Sequence, residues 1–360
     1  MANNIYIIAL EPIESRYTCE WYSQLPKLFK DKISKKGERK YWVRNIDGYG
    51  NNYIDSAATP GAFLNFTNTN IWKNNQLNKI ATLFVSGEIN KGDVFVIADA
   101  WNPGVIQLKY MSELLNIPIE IHSIWHAGSY DKNDFLGRAI KDKAWSYNFE
   151  RSVLYASDYN YFATGYHCKL IMSELEVDAA TIIRAGFPFD YLPKILSKYK
   201  DIPKENIILF PHRLAPEKQP NIFLDLATEL PEYKFILCQE SDLTKHEYRT
   251  LVAKSKIIFS ANLQETLGIS CYEGALLNSI PLVPDRLSYT EMYPDLFKYD
   301  AQLTDSWDSY INNKELLKER IGYMINNYYT YIEPLKELQD RLTAIYFTSN
   351  KLIGNIIGYD

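Results

Sequence analysis

The sequence predicts an α/β protein made of two Rossmann-like domains, each built on a parallel β-sheet. Short apolar segments alternate with longer segments of helical periodicity along the 360 residues, which is typical of βαβ units. This length suits two domains, and a hydrophobic content of 46% is sufficient for two cores. Residues 186–205 carry three prolines and a run of lysines, so we expect the linker between the domains there.

The first series of elements predicts an N-terminal domain over residues 1–190. The strands that we expect are Ile5–Leu10, Tyr41–Ile46, Asp93–Ala98, Ile117–His122, Tyr159–Ala163 and Ala180–Arg184. The helices that we expect from apolar spacing are Trp21–Lys30, 61–82, Val105–Leu115, Phe135–Tyr155 and Tyr166–Leu175. Two glycines, two asparagines and Pro60 predict a loop over 48–60.

The second series predicts a domain over residues 191–335. Its expected strands are Asn206–Phe210, Lys234–Cys238, Ile257–Ser260 and Ser279–Val283. Its expected helices are 219–229, Lys245–Ala253, one that opens near Gly268 and ends at Leu277, and a final helix over Leu335–Phe347.

Composition excludes several classes of protein. The net charge of −5 gives no global attraction to nucleic acid or anionic lipid, so such binding would need a local patch. Four scattered cysteines without a C-x-x-C pair predict reduced thiols, and neither a disulfide framework nor a zinc site. The longest apolar stretch near the N-terminus is Ile5–Leu10, which is too short for a signal peptide or a membrane span. We therefore expect a cytoplasmic protein without a transmembrane segment.

Two strand–loop–helix segments of the second domain carry the candidate site. Residues 207–218 include Arg213 and Lys218. Glu265 and Glu273 follow about fifty residues later, with seven residues, including Gly268, between them. Open α/β sheets bind ligands at the carboxyl ends of their strands. Cations and a helix N-terminus suit a diphosphate, and carboxylates suit the hydroxyls of a ribose or a sugar. The sequence therefore predicts a nucleotide-sugar site; the alternatives are a solvated cationic loop and helix-capping carboxylates.

These residues resemble the retaining GT-B glycosyltransferases, whose second domain carries Gly-Arg-Leu-x-x-x-Lys and then Glu-x7-Glu. Arg213, Leu214 and Lys218 fit the first pattern, whereas His212 stands at the position of its glycine. The resemblance implies the GT-B fold, with two Rossmann-like domains facing a central cleft and a C-terminal helix within 336–360 crossing back to the first domain. It also implies a nucleoside diphosphate sugar as the donor substrate and no further cofactor, and we expect the nucleoside to be uridine.

The resemblance assigns roles to the residues of the second domain. Arg213 and Lys218 would neutralise the leaving diphosphate, with His212 nearby. The backbone amides of Leu267, Gly268 and Ile269 would assist them. Glu273 would bond the ribose hydroxyls, and Glu265 would face the transferred sugar.

Two absences in the sequence refine this prediction. The chain contains no Asp-x-Asp motif, so we expect transfer without a bound metal, unlike the GT-A class. Little room exists between Cys238 and the helix at 245, so one βα unit that usually helps to hold the nucleotide base is missing.

The first domain supplies the remaining candidates. His126 follows a strand, where related enzymes place a histidine that contacts the donor sugar, and we include it among the catalytic residues. The loop after the first strand carries Glu11, Arg16 and Tyr17, and Asp99 and Trp101 follow another strand; all five are candidate acceptor-binding residues. Loop packing is the alternative for Trp101. The absence of Gly-x-Gly-x-x-Gly argues against a nicotinamide dehydrogenase, and no histidine pair has the spacing of a zinc site.

A dense basic run lies within the first domain. It consists of Lys27, Lys30, Lys32, Lys35, Lys36, Arg39, Lys40 and Arg44. Such a run is a solvated face, a surface for nucleic-acid phosphates, or a surface for anionic lipid. Together with the aromatic loop after the first strand, it resembles the phage-encoded glycosyltransferases that modify hydroxylated pyrimidines in DNA.

This resemblance sets the expected acceptor. It is a hydroxylated or hydroxymethylated pyrimidine in phage DNA, modified in the host cytoplasm. The alternatives are a bacterial surface polysaccharide or lipid-linked glycan as the acceptor, and a non-catalytic nucleotide-sugar-binding protein.

Overall fold

The computed structural model describes residues 4–14, 16–36, 41–50, 52–53, 65–240 and 242–358, with the side chains of Lys35 and Lys36 left out. The chain divides into two compact units. The first unit is Met1–Pro188 together with Thr348–Asp360, and the second unit is Phe189–Phe347.

The first unit contains a six-stranded parallel sheet. Its strands are β1 (Asn4–Ile8), β2 (Trp42–Ile46), β3 (Val94–Ile97), β4 (Glu120–Trp125), β5 (Tyr159–Phe162) and β6 (Ile182–Arg184). The α-helices described in its N-terminal part, before Pro188, are α1 (Tyr17–Lys36), α2 (Phe66–Val85), α3 (Gly104–Leu114), α4 (Phe135–Ala139), α5 (Lys143–Ala156) and α6 (Gly165–Leu175). The central strands are almost wholly buried, and β3 is entirely apolar, as expected for a parallel sheet covered by helices.

The second unit contains a five-stranded parallel sheet. Its strands are β7 (Glu205–Phe210), β8 (Lys234–Leu237), β9 (Ser255–Phe259), β10 (Ile280–Pro284) and β11 (Lys298–Tyr299). Its helices are α7 (Leu192–Leu196), α8 (Pro220–Glu229), α9 (Lys245–Lys254), α10 (Ile269–Leu276), α11 (Tyr289–Met292), α12 (Trp307–Asn326) and α13 (Ile332–Ile345). After α13 the chain forms α14 (Asn350–Ile357), which belongs to the first unit and packs on α1.

The strand order of each sheet reverses at one point. In the first unit the order is β2-β1-β3-β4-β5-β6, so the connections leave β1 in opposite directions toward β2 and β3. In the second unit the order is β11-β10-β9-β7-β8, and the reversal lies between β7 and β9. Ligands of open α/β sheets bind outside the carboxyl ends of the strands at such switch points. Each unit therefore has one place where the topology favours a site.

The prediction of two parallel-sheet α/β domains is confirmed, but some elements differ from expectation. The prediction of a single long helix over Phe135–Tyr155 is wrong, because this segment forms two helices, α4 and α5. The side chain of Asp142 accepts a hydrogen bond from the Ala144 amide and caps a new helix there.

The C-terminal region also differs in detail. The helix expected over Leu335–Phe347 is observed as α13 within the second unit, and the helix that joins the first unit is the shorter α14. The long helix α12 was not expected. Most of the predicted loop over 48–60, namely residue 51 and residues 54–60, lies outside the described residues, as does the start of the helix expected from residue 61.

Candidate functional site

The switch point of the second unit gathers most of the residues that the sequence singled out there. His212 and Arg213 follow β7, and Lys218 ends a 3-10 turn, Pro216–Lys218, before α8. Glu265 lies in the loop between β9 and α10, with its carboxylate 3.2 Å from the Lys218 ammonium. Two segments almost fifty residues apart in sequence therefore form one buried charged cluster.

Lys218 is the central cation of this cluster. Its side chain is only 6% exposed. Its Nζ donates hydrogen bonds to the Glu265 carboxylate and to the Gln264 carbonyl oxygen. An ammonium group has three N–H donors, so beyond these two described acceptors one donor remains for a ligand oxygen.

Glu265 is held by four donors, two to each carboxylate oxygen. Oε2 accepts from Lys218 and from Nδ2 of Asn262 at 2.9 Å. Oε1 accepts from the backbone amides of Thr266 and Gly268, both at 3.1 Å. Burial by itself raises the pKa of Glu265, but the Lys218 charge and the Gly268 amide outweigh it and lower the pKa to about 2. The carboxylate is ionised at neutral pH and fixed in orientation.

The contact with Gly268 shows why the loop needs glycine. Gly268 has a φ of +68° and precedes α10. A Cβ atom there would lie 2.9 Å from the Tyr289 ring. Glu265 therefore also has the helix-capping contacts that the sequence analysis kept as an alternative. Of the three amides expected to meet a diphosphate, that of Gly268 is engaged by Glu265, and those of Leu267 and Ile269 flank it at the start of α10.

His212 is buried against this cluster. Its Nδ1 lies 3.5 Å from Asn262 Nδ2. Burial, together with the nearby Lys218 charge, lowers the pKa of His212 to about 3. The imidazole is therefore neutral at neutral pH, so His212 offers hydrogen bonding and no positive charge.

Arg213 is oriented by a neighbour four residues along the chain. Its Nη2 lies 3.2 Å from Glu217 Oε1, and its side chain is 23% exposed. The next backbone amide, that of Leu214, donates to Gln239 Oε1 at 2.9 Å. Arg213 is thus the more accessible of the two predicted cations.

Glu273 lies on α10 and is bonded to side chains of α9. Tyr248 donates its hydroxyl hydrogen to Glu273 Oε2 at 2.9 Å, and Arg249 Nε lies 4.0 Å from Oε1. Burial, and then the Glu273 charge, raises the pKa of Tyr248, which keeps its hydroxyl protonated as a donor. Neither α9 residue could be expected from the sequence, because no local pattern indicates that α9 and α10 are neighbours.

A cavity of about 90 Å³ lies at the switch point of the first unit. It lies at the carboxyl ends of β1, β3 and β4. The sequence-predicted residues that line it are Glu11, Arg16, Tyr17, Asp99 and His126. The structure therefore brings together five of the six residues expected in this unit.

Trp101 does not line this cavity. Its indole N–H donates to Glu150 Oε1 at 2.8 Å, and its ring packs against Trp145 and Phe149. These are the contacts of the loop-packing alternative. Glu150 also accepts from the amide and hydroxyl of Ser129, so it fastens two loops of the first unit.

Glu11 is bonded within the first unit. Its carboxylate accepts hydrogen bonds from the hydroxyls of Tyr53 at 2.9 Å and Thr69 at 2.8 Å, and from Asn68 Nδ2 at 2.9 Å. Two of these donors lie on α2. Glu11 therefore fastens the loop after β1 to that helix.

His126 is similarly engaged. Its Nε2 is 2.8 Å from the Ala98 carbonyl oxygen, and its Nδ1 is 2.9 Å from the Tyr17 hydroxyl. Because a carbonyl can only accept, Nε2 carries the hydrogen and Nδ1 accepts from Tyr17. Burial lowers the pKa of His126, so the ring is neutral. Its Nε2 anchors it to the end of β3, and its Nδ1 holds Tyr17 at the cavity.

Lys73 of α2 is a cavity residue that the sequence analysis missed. Its Nζ donates to the Trp101 carbonyl oxygen at 2.6 Å and lies 4.0 Å from Asp99 Oδ2. Burial lowers its pKa, and the nearby Asp99 opposes that shift. Helical spacing placed residue 73 within a helix, but nothing in the sequence indicated that it faces the end of β3.

The basic run is only partly described. Arg44 pairs with Glu88 at 3.1 Å, and Lys32 donates to Asn350. Arg39, Lys40 and the side chains of Lys35 and Lys36 lie outside the described residues. The described part therefore contains at least one cation that is already paired with a carboxylate.

The described ranges contain no group of three or more His, Cys, Asp or Glu side chains arranged to hold a metal ion. Within the same ranges, no helix has the length and apolar character needed to cross a bilayer. All four cysteines are free, and Cys168, Cys238 and Cys271 are buried.

Comparison with known proteins identifies the fold. No protein-family model matches the chain. A tRNA-queuosine alpha-mannosyltransferase from Drosophila melanogaster is 21% identical over 150 residues. That match spans 34% of this chain and 40% of the length of the relative.

The solved structures that match over nearly the whole chain include a starch synthase and a galactosyltransferase. The catalytic domain of starch synthase IV from Arabidopsis thaliana, bound to ADP and acarbose, aligns with a TM-score of 0.61 at 12% identity, covering 99% of this chain and 98% of its own. A lipopolysaccharide outer core galactosyltransferase in its apo form aligns with a TM-score of 0.61 at 11% identity, covering 99% of each chain. The chain has the GT-B fold. At these identities the likeness shows the fold alone.

Proposed function

We propose that the protein is a retaining glycosyltransferase that works without a bound metal. It moves a sugar from a nucleoside diphosphate sugar, with uridine as the favoured base, to an acceptor hydroxyl. The observation that carries this proposal is the buried Lys218–Glu265 pair at the switch point of the second unit, beside the start of α10. The GT-B fold supports it, and the starch synthase of the same fold is bound to ADP.

The chemical requirement is neutralisation of the leaving group. Breaking the bond between the sugar and the diphosphate places negative charge on the phosphate oxygens. Fixed cations and a helix N-terminus aimed at that charge lower the barrier without reorganisation. In our proposal Lys218 contributes its remaining N–H, Arg213 contributes a second charge, and α10 contributes its N-terminal dipole.

The two glutamates take different parts in the proposed reaction. Glu265 has a pKa of about 2, so it is ionised and stabilises positive charge on the sugar. In our proposal it does not serve as a nucleophile, because four hydrogen bonds occupy its two carboxylate oxygens. Glu273, oriented by Tyr248, bonds the ribose hydroxyls.

The first unit holds the acceptor in this proposal. The cavity offers the Tyr17 ring, the Asp99 carboxylate and the Lys73 ammonium, which suit a planar ring that bears a hydroxyl group. Our candidate acceptor is a hydroxylated or hydroxymethylated pyrimidine in phage DNA, extruded from the stack as chemistry on a duplex base requires. The Drosophila relative favours a second candidate, because its name describes mannosyl transfer to a modified base of tRNA.

The test is a matrix of donors and acceptors. UDP-glucose, ADP-glucose and GDP-mannose are each offered with hydroxymethylcytosine DNA, unmodified DNA, queuosine-containing tRNA and a lipopolysaccharide acceptor. Mass spectrometry of the digested nucleosides reports transfer. We expect a hexose on a modified nucleoside and none on unmodified DNA. Sugar found only on the polysaccharide, or DNA binding that does not weaken between about 50 and 200 mM salt, would reject a DNA acceptor.

Catalysis itself is tested without any acceptor. An active enzyme of this type releases some donor to water, so we expect slow hydrolysis of one nucleotide sugar by the natural protein and none by Lys218→Met. If the natural protein binds a nucleotide sugar but neither hydrolyses nor transfers it, the non-catalytic alternative is correct.

A further inference from the structure

Three consecutive carbonyl oxygens at the end of β9, those of residues 260–262, accept hydrogen bonds from side chains of other elements. The first accepts from the Tyr299 hydroxyl at 2.7 Å. The second accepts from Gln219 Nε2 at 2.6 Å and from Arg286 Nη2 at 3.2 Å. The third accepts from Arg286 Nε at 2.9 Å. The backbone that leads into the Glu265 loop is therefore held from outside the sheet.

Arg286 is the most extensively bonded of these donors. Its Nη2 also donates to the Thr304 carbonyl at 3.1 Å and to the Thr304 hydroxyl at 2.5 Å. Its Nη1 donates to Asp305 Oδ1 at 2.6 Å and to the Ala301 carbonyl at 3.4 Å. The rigid guanidinium fork thus bridges two segments with all three nitrogens, in a side chain that is 13% exposed.

One residue connects this bridge to the charged cluster. Asn262 presents its carbonyl to Arg286 and its side-chain Nδ2 to Glu265 Oε2. Asn262 is fully buried, so its side chain has little room to reorient. The position of the Asn262 amide is therefore set by where Arg286 holds the backbone.

The other side of the cluster is fixed by the same region. Gln219 directly follows Lys218 and donates to both the Ala261 and the Thr304 carbonyls. It has a φ of +53°, which turns the chain from the 3-10 helix into α8. Gln219 and Arg286 thus donate to the same two carbonyls. The segment that carries Lys218 and the segment that carries Glu265 are therefore both bonded to Thr304.

We propose that Arg286 is a positioning residue for glycosyl transfer, acting through Asn262 to keep the Glu265 carboxylate aligned with Lys218. This inference rests on the proposed function of the Lys218–Glu265 pair. The physical reason is that a displacement of about 1 Å in a catalytic group costs about 100-fold in rate. A group supported by packing and hydrogen bonds around it avoids that loss.

The test compares Arg286→Gln and Arg286→Lys with the matched control Arg341→Gln. Arg341 lies on α13, and its Nη2 donates to one backbone carbonyl, that of Glu291, at 2.7 Å. We expect Arg286→Gln to lower kcat by about 100-fold, with a change of less than about threefold in the donor KM. Arg286→Lys should recover part of kcat, and Arg341→Gln should match the natural protein.

A double-mutant cycle separates positioning from general stability. If Arg286 acts through Asn262, then Asn262→Ala lowers kcat similarly and adding Arg286→Gln lowers it little further. Multiplied losses in the double variant would overturn the proposal. A purely structural role would also overturn it. In that case Arg286→Gln would lower Tm, but below that Tm its kcat and the pH profile of kcat would equal those of the natural protein. Should Arg286→Gln not fold, Arg286→Lys and Asn262→Ala carry the same comparison.

A second readout separates this inference from the proposed function. The Glu265 carboxyl carbon is followed by ¹³C NMR as a function of pH in the natural protein and in Arg286→Lys. We expect the Glu265 pKa to rise in the variant, because a displaced Asn262 and a less well aligned Lys218 stabilise the carboxylate less. An unchanged pKa in the variant overturns the positioning proposal. Absence of any transfer or hydrolysis by the natural protein overturns the proposed function instead.

Discussion

The two units place different chemistry at the same topological position. In the second unit, Lys218 and Glu265 form a buried ion pair, and the Glu265 pKa is lowered to about 2. In the first unit, the Glu11 carboxylate is held by three neutral donors, and Lys73 lies 4.0 Å from Asp99. The second unit therefore presents fixed charge suited to a diphosphate. The first presents a cavity with rings and hydrogen-bonding groups suited to an uncharged, planar acceptor.

The origin of the side chains also differs between the units. The connections that follow β7 and β9, including the 3-10 turn that ends at Lys218, supply the cluster of the second unit. In the first unit, α2 reaches across to the strand ends and supplies Asn68, Thr69 and Lys73. With the same topology, the candidate site of the second unit is built from two short segments. That of the first unit is built from segments that are distant in sequence.

The largest expected effect comes from removing the central cation of the second unit. Lys218→Met should lower kcat more than about 100-fold, because a preorganised charge that stabilises the leaving group is lost. Arg213→Met, at the more exposed cation, should give a smaller loss. Steady-state kinetics of donor hydrolysis measures both. Lys298→Met is the matched control, since Lys298 is a similarly buried lysine paired with Asp285; an equal loss in this control would contradict the assignment of Lys218.

The next effect sharpens the assignment of Glu273. Glu273→Ala should raise the donor KM by about tenfold with kcat within about threefold, because a ribose contact is made equally in the ground and transition states. Tyr248→Phe should change KM in the same direction by less. A loss confined to kcat would show that Glu273 does not act as a uniform binding contact.

A smaller effect is expected in the first unit. Lys73→Met removes one hydrogen bond to the Trp101 carbonyl and the charge near Asp99. We expect the acceptor KM to rise about fivefold, corresponding to about 1 kcal/mol, with the donor KM unchanged. Kinetics with the acceptor varied at saturating donor measures this. A change in the donor KM would contradict the proposal that the second unit binds the donor and the first unit binds the acceptor.

The smallest effect at neutral pH concerns His212. Its pKa is lowered to about 3 in the folded protein, whereas an unfolded histidine titrates near 6.5. The unfolded chain therefore binds a proton that the folded protein does not, and stability falls as the pH drops from about 6.5 toward 3. The slope from this residue is at most about 1.4 kcal/mol per pH unit.

The check is urea unfolding between pH 7 and pH 5. The natural protein should lose more free energy of unfolding over this range than His212→Asn does. His126→Asn should likewise lose less free energy of unfolding over this range than the natural protein, because burial also lowers the pKa of His126. Parallel pH dependence in the natural protein and in His212→Asn would mean that His212 is not kept neutral by the fold.

The ion pair of the second unit was easier to expect from the sequence than the contacts of the first unit, for a physical reason. Lys218 and Glu265 occupy two short segments, each next to a strand end, so local spacing is enough to place them together. Lys73 acts at the end of β3 from a helix that precedes that strand, and only the packing of α2 brings it there.

The residues that support each site were not predictable from local sequence. Arg286 reaches the Glu265 loop from beyond β10, and its importance depends on bonds to four backbone carbonyls in two segments. The orientation of Trp101 depends on Glu150, which lies on α5. Such contacts join elements that are neighbours only in the folded chain, and no periodicity or motif encodes them.

The most direct test of the account is where a nucleoside diphosphate binds. Calorimetry with UDP, and with ADP and GDP alongside, is performed on the natural protein, Lys218→Met and Lys73→Met. The account predicts that at least one nucleotide, with UDP favoured, binds the natural protein and Lys73→Met equally and binds Lys218→Met at least about tenfold more weakly. Binding that is weakened by Lys73→Met and unaffected by Lys218→Met would contradict it.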